Sequence, residues 1–322
     1  MVKEGIGIIG SGMIASSLAV LTTGNGYPTK VLVRSEKSRD RFLETVKKHW
    51  DTLVGHGEAT PEQVRICETY LSVTEDYAAF RDVRQFFEAV TEDAPVKQSV
   101  YRQIAKVCPD AVFIASCTSA LTPQMLTDGL DEKACADRIV VAHPFNPVHM
   151  VPYVELCGCE KTGPGVIDRV VNLLADLGRK PVVLKKATPG FIGNRLQFAL
   201  FREAMALVEQ GVCDYRDIDT ALNYSFCPRY SSIGIFEHFD AAGLDLDARN
   251  SALLFPLLSN AKETPFAILE KLESGKGGLK DGEGFYDWRN VDMEAYTRRV
   301  NEPYWKFCRY QYPAGPLPDA GD

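Results

Sequence analysis

The chain has 322 residues, of which 45% are hydrophobic, and this is enough apolar material for a large core and for two domains. Its formal net charge of −7 is spread without long blocks, which argues against a nucleic-acid-binding protein. No apolar run reaches 18 residues and the first residues lead straight into a predicted strand, so neither a membrane span nor a signal peptide is expected. Nine scattered cysteines are typical of reduced thiols in a cytoplasmic protein.

Apolar strand candidates alternate with amphipathic helical stretches through the first half of the chain. The predicted strands are GIGIIG (5–10), KVLVR (30–34), FFEAV (86–90), AVFIAS (111–116), RIVVAH (138–143), YVELCGC (153–159) and RKPVVLK (179–185). The stretches between them include RFLETVKKHWDTL and PVKQSVYRQIAKV. This alternation predicts an α/β fold with a doubly wound, mostly parallel sheet.

The pattern changes near Thr188. From there the stretch FIGNRLQFALFREAMALVEQG has helical periodicity, several further stretches look helical, and convincing strands cease. We therefore predict a first domain at residues 1–187 and an all-helical second domain at 188–322. The Pro- and Gly-rich stretch PAGPLPDAGD at its end is expected to form a loose tail.

The segment GSGMIA (10–15) follows the first predicted strand and opens a predicted helix. In this G-x-G-x-x-A pattern the first glycine permits a tight turn, the second lets the backbone approach a pyrophosphate, and the alanine packs helix against strand. Because the pattern lies within a strand–helix–strand unit, we predict that residues 1–187 form a Rossmann-type dinucleotide-binding domain. The residues expected to hold the pyrophosphate are Gly10, Ser11, Gly12, Met13 and Ile14.

Arg34 ends the second predicted strand, where an acidic residue usually accepts hydrogen bonds from the adenosine ribose. An arginine can instead hold a 2′-phosphate with two hydrogen bonds, and Ser35, Lys37 and Arg39 add donors nearby. A solvated cationic surface is the alternative, but it does not explain the missing acid. We therefore predict that Arg34, Ser35 and Arg39 bind the cofactor and that NADP(H) is favoured over NAD(H).

A second informative stretch is AHPFNPVHMVPYVEL (142–156). His143 ends a predicted strand, where open α/β sheets place their ligands, and Glu155 lies on the next strand. A return hairpin would bring the carboxylate to the imidazole, fixing its tautomer and stabilising its protonated form. By itself the pair is also compatible with a structural histidine.

Five ordered segments resemble motifs of the L-3-hydroxyacyl-CoA dehydrogenase family, between about residues 5 and 287. They are EAVTE (88–92) with Lys97, SCTSA (116–120), HPFNP (143–147) with Glu155, PGFIGNR (189–195) and GLKDGEGFY (278–286). The resemblance implies hydride transfer between nicotinamide C4 and the 3-hydroxy or 3-oxo carbon of a substrate. It also implies that Glu92 and Lys97 lie by the ribose or nicotinamide end of the cofactor.

The resemblance further implies a role for each candidate catalytic residue. His143 would act as general acid or base, Glu155 would hold it, and Ser119 and Asn194 would hydrogen-bond the reacting oxygen. Taken separately, Ser119 could be a loop hydroxyl and Asn194 a helix cap. The resemblance also implies a homodimer formed by the helical domain, and the apolar stretch SALLFPLL supports this.

Three departures from the family pattern bear on cofactor and substrate. Arg34 replaces the family's usual acid, which puts the family's usual NAD in doubt. Pro144 gives an H-P-x-N-P form similar to the lambda-crystallin/L-gulonate 3-dehydrogenase and carnitine dehydrogenase branches, which oxidise free 3-hydroxy acids. The pair Arg229-Tyr230 also occurs in lambda-crystallin-like relatives, and Arg229 could hold a substrate carboxylate, with Asn146 as a further substrate contact. The stretch GLKDGEGFYDW resembles the acyl-CoA branch better, so a free acid is favoured only slightly over a CoA thioester.

Three other readings stay open at this point. One is an NAD-dependent L-3-hydroxyacyl-CoA dehydrogenase of the 3-hydroxybutyryl-CoA type, and another is a non-catalytic, crystallin-like nucleotide-binding protein. A hydrolase using Ser119 and His143 lacks the G-x-S-x-G elbow and would leave the glycine turn without a purpose. No metal site is predicted, since His143 and His149 lack an obvious third ligand and the C-x-C of Cys157 lies in a predicted strand.

Overall fold

The computed structural model describes residues 3–131 and 135–307. The chain divides into two compact units after Ile192, whereas the sequence pattern placed the boundary at residue 187. The segment between these positions belongs with the first unit because Phe191 is buried there and the Ile192 N–H donates to Glu155.

The first unit is built on one eight-stranded sheet with the order β3-β2-β1-β4-β5-β6-β7-β8. The strands are β1 (Ile6–Ile9), β2 (Thr29–Leu32), β3 (Leu71–Thr74), β4 (Gln85–Glu88), β5 (Phe113–Ser116), β6 (Ile139–Pro144), β7 (Tyr153–Cys157) and β8 (Lys180–Val183). Strands β1 to β6 are parallel, β7 is antiparallel to β6, and β8 is parallel to β7. The predicted class, a doubly wound and mostly parallel sheet, is confirmed.

Strand β3 is the one strand of the sheet that the sequence pattern did not indicate. Its four residues, LSVT, are flanked by polar residues, and none of the four is buried. It forms an edge of the sheet beside β2, so only one side of its backbone is paired and no apolar run is needed.

Helices cover both faces of this sheet, which is why consecutive residues of its central strands β1, β4, β5 and β6 are buried, rather than every second one. The helices of the first unit are α1 (Met13–Gly24), α2 (Glu36–Gly55), α3 (Pro61–Glu68), α4 (Ala94–Val107), α5 (Pro123–Thr127) and α6 (Val166–Asp176). Neighbouring strand residues enter opposite cores: Phe87 packs in the cluster under α1, α2 and α6, and Phe86 in the cluster under α4 and α5.

Side-chain caps define where several of these helices begin. Ser35, Thr60, Asp93 and Thr122 each accept a hydrogen bond from a backbone N–H in the first turn of α2, α3, α4 and α5. Such a cap satisfies one of the donors that a helix start leaves unpaired. The glycine turn before α1 has no such cap, and this difference matters for the candidate site.

The second unit is helical, as predicted. Its helices are α7 (Gly193–Glu209), α8 (Tyr215–Tyr224), α9 (Cys227–Tyr230), α10 (Ile235–Ala242), α11 (Leu244–Leu254), α12 (Phe266–Glu273) and α13 (Met293–Phe307). Within the described part of this unit, Met205 is the one buried hydrophobic side chain. Across residues 3–131 and 135–307, no helix is long and apolar enough to cross a bilayer.

Candidate active site

The glycine turn follows β1 directly, and its two glycines serve different purposes. Gly10 has a φ of +129°, and a Cβ there would lie 2.5 Å from the carbonyl oxygen of Ala89. Gly12 has extended backbone, and nothing lies within 4 Å of the position its Cβ would occupy. The missing side chain of Gly12 therefore leaves open space at the start of α1, which is what the close approach of a pyrophosphate requires.

The N-terminus of α1 is free to bind an anion. Its N-cap, Gly12, makes no side-chain hydrogen bond, and the first turn contains no acidic residue. Met13 is 69% exposed, and Ser11 and Ile14 are half-buried, so the start of the helix is accessible. Unpaired N–H groups and the positive end of the helix dipole fit the pyrophosphate of a dinucleotide.

Three residues after β2 carry hydrogen-bond donors, and they differ in how far those donors are already paired. Arg34 is exposed, and its guanidinium has no hydrogen-bond or ion-pair partner among the residues described. Ser35 caps α2 and exchanges hydrogen bonds with Ser38. Arg39 lies 3.7 Å from Glu75, while its Nε is buried without a partner in the described part of the chain. This segment thus offers the exposed guanidinium of Arg34 where the adenosine ribose is expected.

Glu88 ends β4 and its carboxylate is completely buried. It accepts hydrogen bonds from the Val90 N–H (2.8 Å), the Lys97 ammonium (2.9 Å), the Tyr101 hydroxyl (2.9 Å) and the Ser116 hydroxyl (2.7 Å). Burial, followed by the negative charge of Glu88, raises the pKa of Tyr101 well above its ordinary value, so the phenol remains a donor. Lys97, which the family resemblance places beside the cofactor, has a side chain only 1% exposed and is held by this cluster.

Glu92 lies 3.4 Å from the same ammonium and holds the loop that carries Ser119. One of its oxygens accepts the N–H groups of Ser119 and Ala120, both at 3.0 Å, and the hydroxyl of Thr118. Burial opposes ionisation here, but the hydrogen bond from Thr118 and the charge of Lys97 outweigh it and lower the pKa of Glu92. An ionised Glu92 therefore fixes the loop while the side chain of Ser119 stays exposed.

His143 and Glu155 are directly opposite each other in the antiparallel pair of β6 and β7. The imidazole Nδ1 lies 2.8 Å from the Glu155 carboxylate, and the two side chains are 5% and 0% exposed. Because a carboxylate only accepts hydrogen bonds, Nδ1 carries the proton and Nε2 is the basic nitrogen. The hairpin expected from the sequence thus brings the predicted acid–base pair into contact.

The start of the PGFIGNR segment, to which the sequence analysis gave no role at this pair, completes its environment. The second oxygen of Glu155 accepts the backbone N–H of Ile192 at 2.7 Å and the hydroxyl of Tyr153 at 3.1 Å. Phe191 has a φ of +50°, rare for a bulky residue, and its ring lies 5.3 Å from the imidazole between centroids. The PGFI motif was the available signal, but nothing in it indicated that a backbone N–H would serve Glu155.

The groups of the first unit share one edge of the sheet. Glu88, Ser116 and His143 stand at or next to the carboxyl ends of β4, β5 and β6, and the glycine turn follows the carboxyl end of the adjacent strand β1. The winding reverses between β1 and β4, which is where open α/β sheets bind their ligands. Asn146, predicted to contact substrate, is exposed just beyond β6.

The remaining predicted residues belong to the second unit. Asn194 is the second residue of α7, and it is half-buried. Arg229 lies in α9, is exposed, and has its Nη1 3.0 Å from Nε2 of His238. Since the guanidinium can only donate, His238 accepts through Nε2.

Two family models match the chain over most of its length. The 3-hydroxyacyl-CoA dehydrogenase NAD binding domain matches residues 5–187, and the 3-hydroxyacyl-CoA dehydrogenase C-terminal domain matches residues 190–288.

Similar curated proteins include dehydrogenases and a crystallin. 5-Formyl-3-hydroxy-2-methylpyridine 4-carboxylate 5-dehydrogenase of Mesorhizobium japonicum is 36% identical over 65% of this chain and 66% of its own length, just under two thirds. L-carnitine dehydrogenase of Burkholderia mallei is 33% identical over 76% of this chain and 73% of its own, and the human lambda-crystallin homolog is 32% identical over 74% and 75%. Among solved structures, a 5-formyl-3-hydroxy-2-methylpyridine 4-carboxylic acid 5-dehydrogenase described as an NAD+-dependent dismutase has a TM-score of 0.83 and 29% identity, covering 94% of this chain and 96% of the other.

Proposed function

The chain belongs to the 3-hydroxyacyl-CoA dehydrogenase family, and from this premise we propose an NADP(H)-dependent oxidoreductase that interconverts the hydroxyl and ketone at C3 of a 3-hydroxy acid or its CoA thioester. The observation that carries the proposal is the buried His143–Glu155 pair, which lies at the same sheet edge as the open N-terminus of α1. A non-catalytic nucleotide-binding protein would not need an acid–base pair at that edge.

The nicotinamide supplies the hydride chemistry when the cofactor is bound. During oxidation Nε2 of His143 takes the proton of the substrate hydroxyl as hydride leaves C3, and during reduction it returns that proton. Glu155 holds Nδ1–H and stabilises the imidazolium formed in between. Ser119 and Asn194 are proposed to donate to the reacting oxygen, with Glu92 holding the backbone of Ser119 in place.

The preference for NADP(H) rests on the donors that follow β2. Arg34 is exposed and stands where an acid is usual, and Arg39 follows on α2, 3.7 Å from Glu75. A 2′-phosphate would accept two hydrogen bonds from the exposed guanidinium of Arg34, whereas two ribose hydroxyls would leave its charge without an anionic partner. The family model and one solved relative name NAD, so the cofactor is the point at which this chain would depart from its relatives.

A carboxylate-bearing substrate fits the chain slightly better than a CoA thioester. The most similar curated relative named above acts on a pyridine carboxylate, according to its name. Arg229 is exposed and could hold a carboxylate with two hydrogen bonds, and the neighbouring His238, as an acceptor, would orient the guanidinium. We propose that Arg229 and Asn146 contact the substrate.

The experiment that tests this function begins with dinucleotide binding. NADPH and NADH are titrated against the protein by fluorescence, in parallel with Arg34→Asp and with Arg41→Asp, which makes the same charge change at an exposed site on α2. We expect a preference of about tenfold for NADPH, equivalent to about 1.4 kcal/mol, that disappears in Arg34→Asp and persists in Arg41→Asp. A wild-type preference for NADH would return the assignment to an NAD-dependent dehydrogenase.

Turnover is then measured with two 3-oxo substrates, acetoacetate and acetoacetyl-CoA, each with the preferred reduced cofactor. Reduction of either supports the 3-hydroxy/3-oxo assignment, and the more efficient one identifies the substrate class. Tight dinucleotide binding without turnover of either would contradict the catalytic proposal and favour a crystallin-like binding protein.

A further inference from the structure

The turn at residues 147–151 joins the strand that carries His143 to the strand that carries Glu155. It is tight, because the N–H groups of Met150 and Val151 both donate to the carbonyl of Pro147, at 3.0 and 2.8 Å. Any shift of this turn would move the β6–β7 hairpin and the acid–base pair on it.

A reciprocal contact ties this turn to α1. The Ser17 hydroxyl lies 2.7 Å from Nδ1 of His149 and also accepts the backbone N–H of His149 at 3.1 Å. The hydroxyl can donate to Nδ1 or accept from it, and in either tautomer the hydrogen bond joins the two side chains. Ser17 is completely buried, one helical turn beyond Met13 at the start of α1. The helix whose N-terminus is open for the pyrophosphate is thus bonded directly to the catalytic hairpin.

Two further elements hold the same turn from other sides. Nη1 of Arg179, just before β8, donates to the carbonyls of Val148 and Val151 at 3.0 and 3.3 Å. The ring of His49 on α2 lies against that of His149, with 4.6 Å between centroids. The turn is therefore held from several sides, and the Ser17–His149 hydrogen bonds join it directly to α1. His49 adds an indirect link, since its Nε2 lies 3.4 Å from the hydroxyl of Ser16 on the same helix.

We propose that Ser17 and His149 are positioning residues that set the distance between the bound dinucleotide and the general base His143. Neither side chain touches reactants: one is on the helix that holds the cofactor, and the other is on the turn that holds the base. A misplacement of about 1 Å between reacting groups can cost about 100-fold in rate. Loss of the hydrogen bond between α1, which holds the cofactor, and the turn, which holds the base, is therefore expected to slow turnover. This inference rests on the proposed dehydrogenase function.

The test compares variants that break the bond with variants that keep it. Ser17→Ala removes the hydroxyl and His149→Leu removes Nδ1, whereas His149→Asn keeps an amide that can donate or accept a hydrogen bond at the position of Nδ1. Thr23→Val is the matched control, because Thr23 is a buried hydroxyl on the same helix that bonds only to the carbonyl of Ala19 within α1. Each protein is assayed for the dissociation constant of its preferred reduced dinucleotide and for the single-turnover rate of acetoacetate or acetoacetyl-CoA reduction, whichever the wild type uses. Hydrogen exchange in peptides from residues 139–157 is followed with and without dinucleotide.

We expect Ser17→Ala and His149→Leu to lose about 10- to 100-fold in single-turnover rate while the dissociation constant changes less than about threefold. The dinucleotide should slow hydrogen exchange in the hairpin of the wild type, Thr23→Val and His149→Asn, but not in the two broken variants. If Ser17→Ala and His149→Leu lose rate and dinucleotide affinity equally, the two residues have a merely structural role and the proposal is overturned. The same conclusion follows if His149→Asn is as slow as His149→Leu. If the wild type is active and both Ser17→Ala and His149→Leu keep its rate, the positioning proposal alone is overturned. If the wild type binds neither dinucleotide, the proposed function is overturned as well.

Discussion

At the scale of single residues, the chemistry of the candidate site depends on which atoms already take part in hydrogen bonds. Glu155 uses one oxygen for His143 and the other for Tyr153 and Ile192, so a buried carboxylate is fully hydrogen-bonded and holds one tautomer of the imidazole. Burial, and then the charge of Glu155, raises the pKa of Tyr153, so this phenol stays protonated and keeps donating. In the proposed reaction, Nε2 of His143 is therefore the nitrogen that would take the substrate proton.

Replacing His143 with Gln tests this assignment. We expect the change to reduce turnover by at least about 100-fold, because the side chain can still hydrogen-bond but cannot take a proton. The dissociation constant of the dinucleotide should change little, since the start of α1 and the segment after β2 are untouched. Steady-state kinetics and fluorescence titration measure the two quantities, and a parallel loss of binding would show that His143 supports the cofactor site instead.

For Lys97, the structure shows surroundings that the sequence prediction did not include. Its place in the motif led us to expect a contact with the cofactor, and that remains a prediction. The structure adds that its ammonium lies between Glu88 and Glu92, the carboxylate that anchors the loop of Ser119. Sequence spacing could not indicate this, because the burial of Lys97 arises from β4, β5 and α4 packing together.

At the scale of elements, the β6–β7 hairpin and its turn decide how the pair is held. The register places His143 opposite Glu155, and a slip by one residue would turn one of the two side chains to the other face of the sheet. Gly190 and Phe191 both have positive φ, which turns the chain so that the Ile192 N–H reaches Glu155. Two left-handed residues in succession, one of them bulky, are typical of a functional loop held in place by its surroundings.

The turn also predicts how stability depends on pH. Burial, followed by the charges of His49 and Arg179, lowers the pKa of His149 from 6.5 to about 3, and burial also lowers the pKa of His49. A group whose pKa is lower in the folded state stabilises the fold above its unfolded pKa, and this contribution is lost as pH falls from about 6.5 toward about 3. We expect His149 to account for a loss of about 2 kcal/mol in unfolding free energy between pH 7 and 5.

The variant His149→Asn provides the comparison, because its amide can still hydrogen-bond to Ser17 and cannot take up a proton near neutral pH. Urea unfolding of wild type and variant at pH 7, 6 and 5 gives the free energies. The variant should lose less stability on acidification than the wild type does. Parallel curves would show that His149 is not the group that titrates, and would point to His49.

At the scale of the whole molecule, the two units differ sharply in how much apolar surface they bury. The first has cores on both faces of its sheet, while Met205 is the one buried hydrophobic side chain in the described part of the second. Exposed apolar side chains of the second unit include Phe236, Leu253, Phe255, Leu257 and Phe266, each at least 67% exposed. So many large apolar side chains with high exposure favour an interface over a surface left to water.

We therefore predict that the protein is a homodimer in which the second unit covers this apolar surface. Sedimentation equilibrium at micromolar concentration should give twice the chain mass of 35.7 kDa. Leu253→Glu should shift the protein toward monomer, because it puts a charge among apolar groups that the dimer would bury. The exposed Leu43→Glu on α2 of the first unit is the control and should leave the mass unchanged. A wild-type monomer would contradict the prediction.

The sequence alone determined the fold class, the helical second unit and the family. The signals for these are local or ordered along the chain: apolar runs separated by amphipathic helices, glycines at a strand–helix junction, and motifs in a constant order. Only the tertiary structure decided which groups meet, such as the Ile192 N–H with Glu155, Lys97 with Glu88, and Ser17 with His149. It also revealed β3, whose four residues include only two apolar ones, Leu71 and Val73, too short a pattern to indicate a strand. The reason is physical: hydrophobic periodicity reports which face a residue turns to the core, whereas a contact between distant segments depends on how those segments pack, which periodicity does not encode.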